Sequence, residues 1–434
     1  MSTLPSIVTV GPQGAVDGTV RIPGSKSLTN RTLIVAALAE GVSHLEGALV
    51  AEDSEVLVRA LSALGLRLEA TGPRIVVHGA AGRVPATSAE LDVRLSGTSM
   101  RFLTALVSLG RGRYRLDGNA RMRQRPIEDL LVALRALGAD VASEAGDGCP
   151  PVVARGHGLD GGEAHIEGGR SSQYLSALLM VAPYAAAPVT LEVVGELQSK
   201  PFVDMTLDVM ADFGVEVQRD GYRRFIVPQG RYRARDLTIE GDAMAAGYFW
   251  AAAAATGGRV RVANLGRHTR QGDARFAEIL ERMGCEVRWG DTSSEVRGPR
   301  PGRLRGGDFD LNDMPDQAQT LAALALFADG PVHIRNVWNL RIKETDRIAA
   351  LATELRRLGA EVEEHDASLT VHPLDRAAVN EVVVETYGDH RMAMALAVVG
   401  ARRPGVAIRD PGCVAKTYPR FFDDFLALLA GRLS

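Results

Sequence analysis

With 434 residues, 46% of them hydrophobic and 24% charged, the chain has an ordinary globular balance and enough apolar material for two or three domains. A formal net charge of −3 argues against a duplex-binding protein, which would carry a basic surplus, but not against small anionic ligands, which need only a local cluster of cations. The three cysteines, Cys149, Cys285 and Cys413, stand too far apart for a thiolate zinc site or a redox pair and suit a reducing cytosol.

The start, MSTLPSIVTVGPQG, lacks the basic and apolar regions of a secretory leader. No apolar run is long enough to span a bilayer, so a soluble, cytoplasmic protein is expected. The strand-like VRI then meets Pro23-Gly24, and an apolar helix is predicted from near Leu28, with Lys26, Ser27 and Arg31 at its start. A second helix runs through LSALG to Gly65 and gives way to the alternating LRLEA. RLSGTSMRFLTALVSLG opens another helix beside Gly97, Thr98, Ser99 and Arg101. GNARMRQRPIEDLLVALRALG places Arg121, Arg123 and Arg125 ahead of Pro126 and ends at Gly138. GRSSQYLSALLM sets Ser171, Ser172 and Gln173 at the next start, and LDVMADFG ends at Gly214.

From Glu240 the strand-like LTIEG yields to an Ala-rich helix, the expected place for the chain to pass between domains. LERMG ends at Gly284. NLRIKETDRIAALATELRRLG carries Arg341, Lys343 and Arg347 at its start and Gly359 at its end. YGDHRMAMALAVVG presents His390 and Arg391, and FFDDFLALLAGRLS reads as a last helix.

The five glycines recur roughly every 70–76 residues, each after a helical run and before an alternating segment. The chain is therefore predicted to be built from repeats of helix and strand in α/β or α+β layers. A sixth copy would be truncated or permuted, which would bring the two chain ends into one neighbourhood.

Helices usually open on Asp or Glu, because the backbone dipole is positive there; a cation at that end opposes it by about 0.3–1 kcal/mol. Six segments here place cations or paired hydroxyls at helix starts instead. Bare amide hydrogens at such ends favour phosphate or carboxylate, and arginine adds a planar two-pronged donor. The glycine spacing of a P-loop is absent before Gly24-Ser25-Lys26-Ser27. No GxGxxG opens a helix at the head of a repeat, there is no HExxH, and the histidines are scattered.

PGSKSLTNR, GTSMR, RMRQRPI, SSQ, SKPF, MPD, IKETDR, GDHRMAMA and AKTYP resemble, in order and over nearly the whole chain, the signatures of the 5-enolpyruvylshikimate-3-phosphate (EPSP) synthase family. IKETDR and GDHRMAMA are the most specific of them. The resemblance implies a two-domain, inside-out α/β barrel of six βαβαββ repeats, three per domain. It implies residues 1–22 plus 242–434 as a discontinuous domain and 23–241 as an inserted one, with the active site in the cleft between them. It also implies transfer of the enolpyruvyl group of phosphoenolpyruvate to the 5-hydroxyl of shikimate 3-phosphate with release of phosphate, in the pathway to chorismate and the aromatic amino acids. No metal and no organic cofactor are implied.

By the same resemblance, Lys26, Asp316 and Glu344 are the catalytic residues. Lys26, Gly97, Arg125, Arg347, Arg391 and Lys416 would surround phosphoenolpyruvate. Lys26, Ser27, Arg31, Ser171, Ser172, Gln173, Ser199, Asp316, Asn339 and Lys343 would hold shikimate 3-phosphate. Asp389 and His390 fall in the same region. Phe202 stands where the family often has tyrosine, and Phe102 where it often has proline. Both departures bear on the response to glyphosate, the family's phosphoenolpyruvate-like inhibitor, or on the shikimate contact.

Two other readings differ by observable features. The sister enzyme acting on UDP-N-acetylglucosamine has asparagine after the early lysine and a cysteine or aspartate in its loop; here Ser27 follows Lys26, and RMRQRP has no cysteine. An inert anion-binding scaffold would gain nothing from acids such as Asp316 and Glu344 among its arginines. A monomer is expected, since no apolar stripe stands out.

Overall fold

All five repeat glycines take left-handed backbone angles just past a helix: φ is 82° at Gly65, 94° at Gly138, 88° at Gly214, 101° at Gly284 and 92° at Gly359. The computed structural model describes residues 4–374 and 381–433; residues 1–3, 375–380 and 434, all within the expected discontinuous domain, lie outside the described residues.

The described residues form twelve α-helices in chain order: α1 (Lys26–Leu38), α2 (Glu52–Ala63), α3 (Gly97–Ser108), α4 (Glu128–Ala136), α5 (Ser172–Val181), α6 (Lys200–Asp212), α7 (Ala243–Thr256), α8 (Phe276–Arg282), α9 (Ala318–Ala325), α10 (Arg347–Arg357), α11 (His390–Gly400) and α12 (Phe421–Leu429). They alternate in character. The odd-numbered helices are buried along almost their entire length, as the alanine-rich, largely apolar sequences of α7 and α11 require. The even-numbered ones bury one face only, as their mixed sequences dictate.

Each repeat threads one odd and one even helix between strands. In the plainest case Ser88–Asp92 lies parallel to Arg111–Asp117, which is antiparallel to Val152–His157, which in turn is antiparallel to Asp140–Ser143. The same order recurs in the sheet of Gly162–Glu167, Val189–Val194, Arg224–Val227 and Gln218–Asp220. It recurs again in the sheet of Gly307–Asp310, Val332–Arg335, Leu369–Val371 and Val362–Glu364.

Two repeats borrow their first strand from elsewhere in the chain. Leu237–Thr238 joins Glu40–Glu46 in parallel, with Leu237 opposite Leu45. Asp17–Val20 joins Arg259–Val262. The sixth sheet is three-stranded among the described residues: Val382–Val384 and Val406–Arg409 are completed by Ile7–Val10 from the chain start. Of the two alternatives left open by the spacing, a truncated or a permuted last repeat, the pairing with Ile7–Val10 gives the permuted one.

The chain forms two compact units, residues 24–239 and residues 1–23 with 240–434. Each has three of the six sheets and its own hydrophobic core, and the two cores share no residue. Among the described residues no helix is long and apolar enough to cross a membrane.

Candidate active site

None of the six odd-numbered helices has an acid in its first turn. Four of the even-numbered ones, α2, α4, α8 and α12, do. The first turns of the buried helices thus carry no acid to meet the dipole, though Asp242 and Asp389 cap α7 and α11, whereas those four surface helices satisfy theirs in the usual way. Arg121, Arg123 and Arg125 lie ahead of Pro126 and of α4, which begins with Glu128 and Asp129; Arg123 sits in a 3-10 turn, Met122–Gln124, flanked by the other two. Arg123 is spent on Asp117 at 2.8 Å, whereas Arg125 is only 5% exposed.

In the unit of residues 24–239, the expected residues gather at the starts of α1, α3, α5 and α6. Lys26 is the first residue of α1 and lies 3.4 Å from the carboxylate of Asp53, which is nearly fully buried. Arg31, one turn on, is 2% exposed. Its Nε donates to the Thr206 hydroxyl at 2.7 Å, Nη1 to the Ser27 carbonyl at 3.2 Å, and Nη2 to Ser176 Oγ at 3.2 Å and the Phe202 carbonyl at 3.0 Å. Those bonds use four of the five N–H groups that a guanidinium carries and none goes to a carboxylate. Burial presses the Arg31 pKa down to about 9. The two aromatic departures converge on this cation: its carbon lies 5.4 Å from the Phe102 ring centre and 5.9 Å from that of Phe202.

Gly97, the first residue of α3, is closely walled by arginine. A Cβ there would lie 2.7 Å from Arg101 Nη1 and 2.8 and 2.9 Å from the two terminal nitrogens of Arg125. Arg101 is tied to the carbonyls of Gly97 and Pro126, at 3.0 and 3.1 Å. At α5 the Ser171 hydroxyl accepts from the Gln173 amide and supplies the cap, so that of Ser172 is not needed for it. Gln173 Nε2 reaches Thr98 Oγ1 at 3.5 Å. Ser199 precedes α6 with φ 57° and ψ 46°, a left-handed serine whose side chain does not cap its helix. Strained residues of this kind persist where the surroundings over-determine them, and they concentrate at functional sites.

In the other unit, Arg347 is the hub. It opens α10 and its side chain is 1% exposed. Its Nε donates to Asp389 at 2.7 Å, Nη1 to Asp316 at 2.9 Å, and Nη2 to Glu344 at 2.9 Å and again to Asp389 at 3.2 Å. Arg391 and Lys343 also approach Asp316, at 2.9 and 3.9 Å, and Lys416 approaches Glu344 at 3.9 Å. Four cations thus enclose three carboxylates. Burial opposes the charge of Arg347, but Asp389, Glu344 and Asp316 outweigh it and hold its pKa above the ordinary arginine value. Burial opposes Arg391 likewise, and there Asp316 leads the groups that keep it charged. Asn339 is 2% exposed, and its Oδ1 makes no hydrogen bond to the described residues.

Three participants were not among the expected site residues. Asp389, named only as near the site, is fully buried, caps α11 through the Arg391 amide at 2.9 Å, and lies 3.5 Å from His390 Nδ1. An Asp directly before an apolar helix is the sequence signal for such a cap. Asp53 is a first-turn acid of α2, and its burial, at 2% exposure, marks it out from the other acids there. Gln319, with its amide oriented by its neighbours, bridges Arg347 Nε at 2.9 Å and the Asp316 carbonyl at 3.1 Å; nothing in the sequence singles it out.

A family model described as EPSP synthase (3-phosphoshikimate 1-carboxyvinyltransferase) matches residues 10–425. The chain is 50% identical over 417 residues to the 3-phosphoshikimate 1-carboxyvinyltransferase of Nostoc punctiforme, covering 95% of this chain and 97% of that one. It is 45% identical over 421 residues to the enzyme of that name from Vibrio atlanticus, covering 96% and 98%. Its fold is similar to a solved EPSP synthase from Acinetobacter baumannii, with a TM-score of 0.80 at 25% identity over 98% of both chains. The enolpyruvyl transferase NikO from Streptomyces tendae shares the fold, with a TM-score of 0.75 at 21% identity over 97% of each chain.

Proposed function

Since the chain belongs to the EPSP synthase family, and so is a transferase that moves the enolpyruvyl group of phosphoenolpyruvate to shikimate 3-phosphate on the route to the aromatic amino acids, we propose that two sets of side chains, one from each unit, run this reaction. Lys26, Gly97 and Arg125 from the inserted unit, with Arg347, Arg391 and Lys416 from the discontinuous one, take phosphoenolpyruvate. Lys26, Ser27, Arg31, Ser171, Ser172, Gln173 and Ser199, with Asp316, Asn339 and Lys343, take shikimate 3-phosphate.

The chemistry is addition followed by elimination. The 5-hydroxyl oxygen bonds to the substituted alkene carbon and loses its proton, while the terminal CH2 gains one and becomes a methyl. The tetrahedral intermediate then loses a methyl proton, the alkene re-forms, and the C–O bond to phosphate breaks. Two proton-transfer groups and a positive field for the departing phosphate are required. Lys26, Asp316 and Glu344 supply the first, and the arginines and Lys416 the second.

One observation carries this reading: Arg347 holds Asp316 and Glu344 by its two terminal nitrogens, at 2.9 Å each. Two acids are thereby fixed side by side within a surplus of positive charge. A pure anion receptor would gain nothing from that arrangement. A cytoplasmic monomer completes the proposal, supported by three unpaired cysteines and by large exposed apolar residues scattered along the chain.

The test is phosphate release from phosphoenolpyruvate. Release is expected with shikimate 3-phosphate and not with UDP-N-acetylglucosamine. Lys26→Met should reduce it by about a thousandfold or more with the fold retained, since one proton-transfer group contributes about 10²–10⁴ and this lysine also contacts substrate. Near-normal release by that variant would remove Lys26 from the reaction.

A further inference from the structure

We propose that Glu354 and Tyr387 form a clamp that positions Arg391 and Arg347 for phosphoenolpyruvate. The inference rests on the reading that these two arginines bind that substrate.

The segment carrying Asp389, His390 and Arg391 is introduced by two consecutive left-handed residues, Tyr387 at φ 56° and Gly388 at φ 66°. Glycine takes this conformation freely; a bulky side chain rarely does. Tyr387 is also 44% exposed, so core packing does not impose its angle. What holds it is Glu354, a fully buried carboxylate on α10. The Tyr387 hydroxyl donates to Glu354 Oε1 at 2.8 Å, and the Glu385 amide donates to Glu354 Oε2 at 3.1 Å. Arg357 completes the set, donating to Glu354 Oε2 at 2.6 Å and to the Val383 carbonyl at 2.7 Å. Partial burial, with the bond to Glu354, lifts the Tyr387 hydroxyl to about 12, so it remains a donor at neutral pH.

Glu354 lies two helical turns beyond Arg347 on α10. The helix therefore grips one short stretch of chain at two points. Glu354 takes Glu385 and Tyr387, and Arg347 takes Asp389, whose Oδ1 also accepts from the Arg391 amide. The first grip fixes the direction in which the chain leaves the turn, and the second fixes the start of α11. With both in place, Arg391 has its terminal nitrogen 2.9 Å from Asp316. Release of the first grip lets the turn relax toward ordinary angles and rotates the Arg391 backbone, although neither Glu354 nor Tyr387 is assigned a contact with substrate. Both are positioning residues.

The experiment compares the full chain with Tyr387→Phe and Tyr387→Gly, and with Arg391→Lys as a control on the underlying reading, by KM for each substrate, kcat and Tm. Tyr387→Phe removes only the hydroxyl. It should raise KM for phosphoenolpyruvate about fivefold, the order expected for one hydrogen bond, with KM for shikimate 3-phosphate and Tm unchanged. Tyr387→Gly adopts the turn without strain, so Tm should hold or rise, while KM for phosphoenolpyruvate rises by at least as much as in the Phe variant. A merely structural tyrosine would instead move Tm, kcat and both KM values together, and that pattern overturns the proposal. If Arg391→Lys weakens phosphoenolpyruvate and Tyr387→Phe does not, the clamp is wrong and the site reading stands. If neither variant weakens it, both are wrong.

Discussion

Arg31 is the residue at which charge and burial conflict most openly. Its partners are hydroxyls, carbonyls and two aromatic rings, with no carboxylate among the described residues to balance it. Because its folded pKa is depressed to about 9, the charged form is disfavoured by folding. For a base the cost is fully present below the folded value and disappears only as pH rises past the ordinary arginine value of the unfolded chain. At neutral pH, then, Arg31 opposes stability, and an anionic ligand offsets that. Arg31→Met should leave Tm without ligand equal to or above that of the natural chain. Shikimate 3-phosphate at a hundred times its Kd should raise the natural chain's Tm by about 5 °C and the variant's far less. A lower unliganded Tm, or an undiminished ligand shift in the variant, would contradict this account. The cation itself is legible in the sequence, as a positive charge at the start of an apolar helix. Its cage is not, because Ser176 and Thr206 stand 145 and 175 positions away. At Arg347 the motifs supply both the arginine and its three acids, but not that Asp316, Glu344 and Asp389 converge on one guanidinium from positions up to 42 residues away.

At the scale of single elements, helix ends and strand alternation were readable because they depend on local geometry. A run of apolar residues closed by glycine needs no distant partner to explain it, and all five such glycines are left-handed. The sequence sets Arg121, Arg123 and Arg125 ahead of Pro126 and the helix, but cations near a proline do not reveal that Met122–Gln124 closes into a 3-10 turn among them. Gly214 isolates the cost of the repeated glycine. Its φ is 88°, and an added Cβ would find no atom within 4 Å, so only backbone strain opposes a side chain. Gly214→Ala should therefore destabilise the protein by about 1–2 kcal/mol, with both KM values unchanged. Gly65→Ala should cost more, because its Cβ would also meet Pro85 Cβ at 3.0 Å and the Ala86 amide at 3.3 Å. Thermal unfolding of the two variants side by side checks both the size and the order; an equal loss would show that close contact adds nothing.

For the molecule as a whole, the unit of residues 24–239 has the anatomy of an inserted domain. It has a core of its own and three sheets of its own. Its two ends meet at Gly47: a side chain on Gly24 would run into the Gly47 carbonyl oxygen, and one on Gly47 into that of Ile239. Cutting the chain at both ends therefore strands no long connection. Expressed alone, residues 24–239 should unfold cooperatively and still gain stability from shikimate 3-phosphate, since Arg31, Ser171 and Ser199 come with it. Residues 24–235 should fare worse. They lack Leu237–Thr238, the short strand that pairs in parallel with Leu45 and Glu46, and so leave that stretch of Glu40–Glu46 as a bare edge. The shorter piece is expected to melt lower and to aggregate more readily, by scanning calorimetry and light scattering at matched concentration. Equal behaviour of the two pieces would mean that the borrowed strand contributes nothing, and that the permuted repeat describes the path of the chain without explaining what holds it.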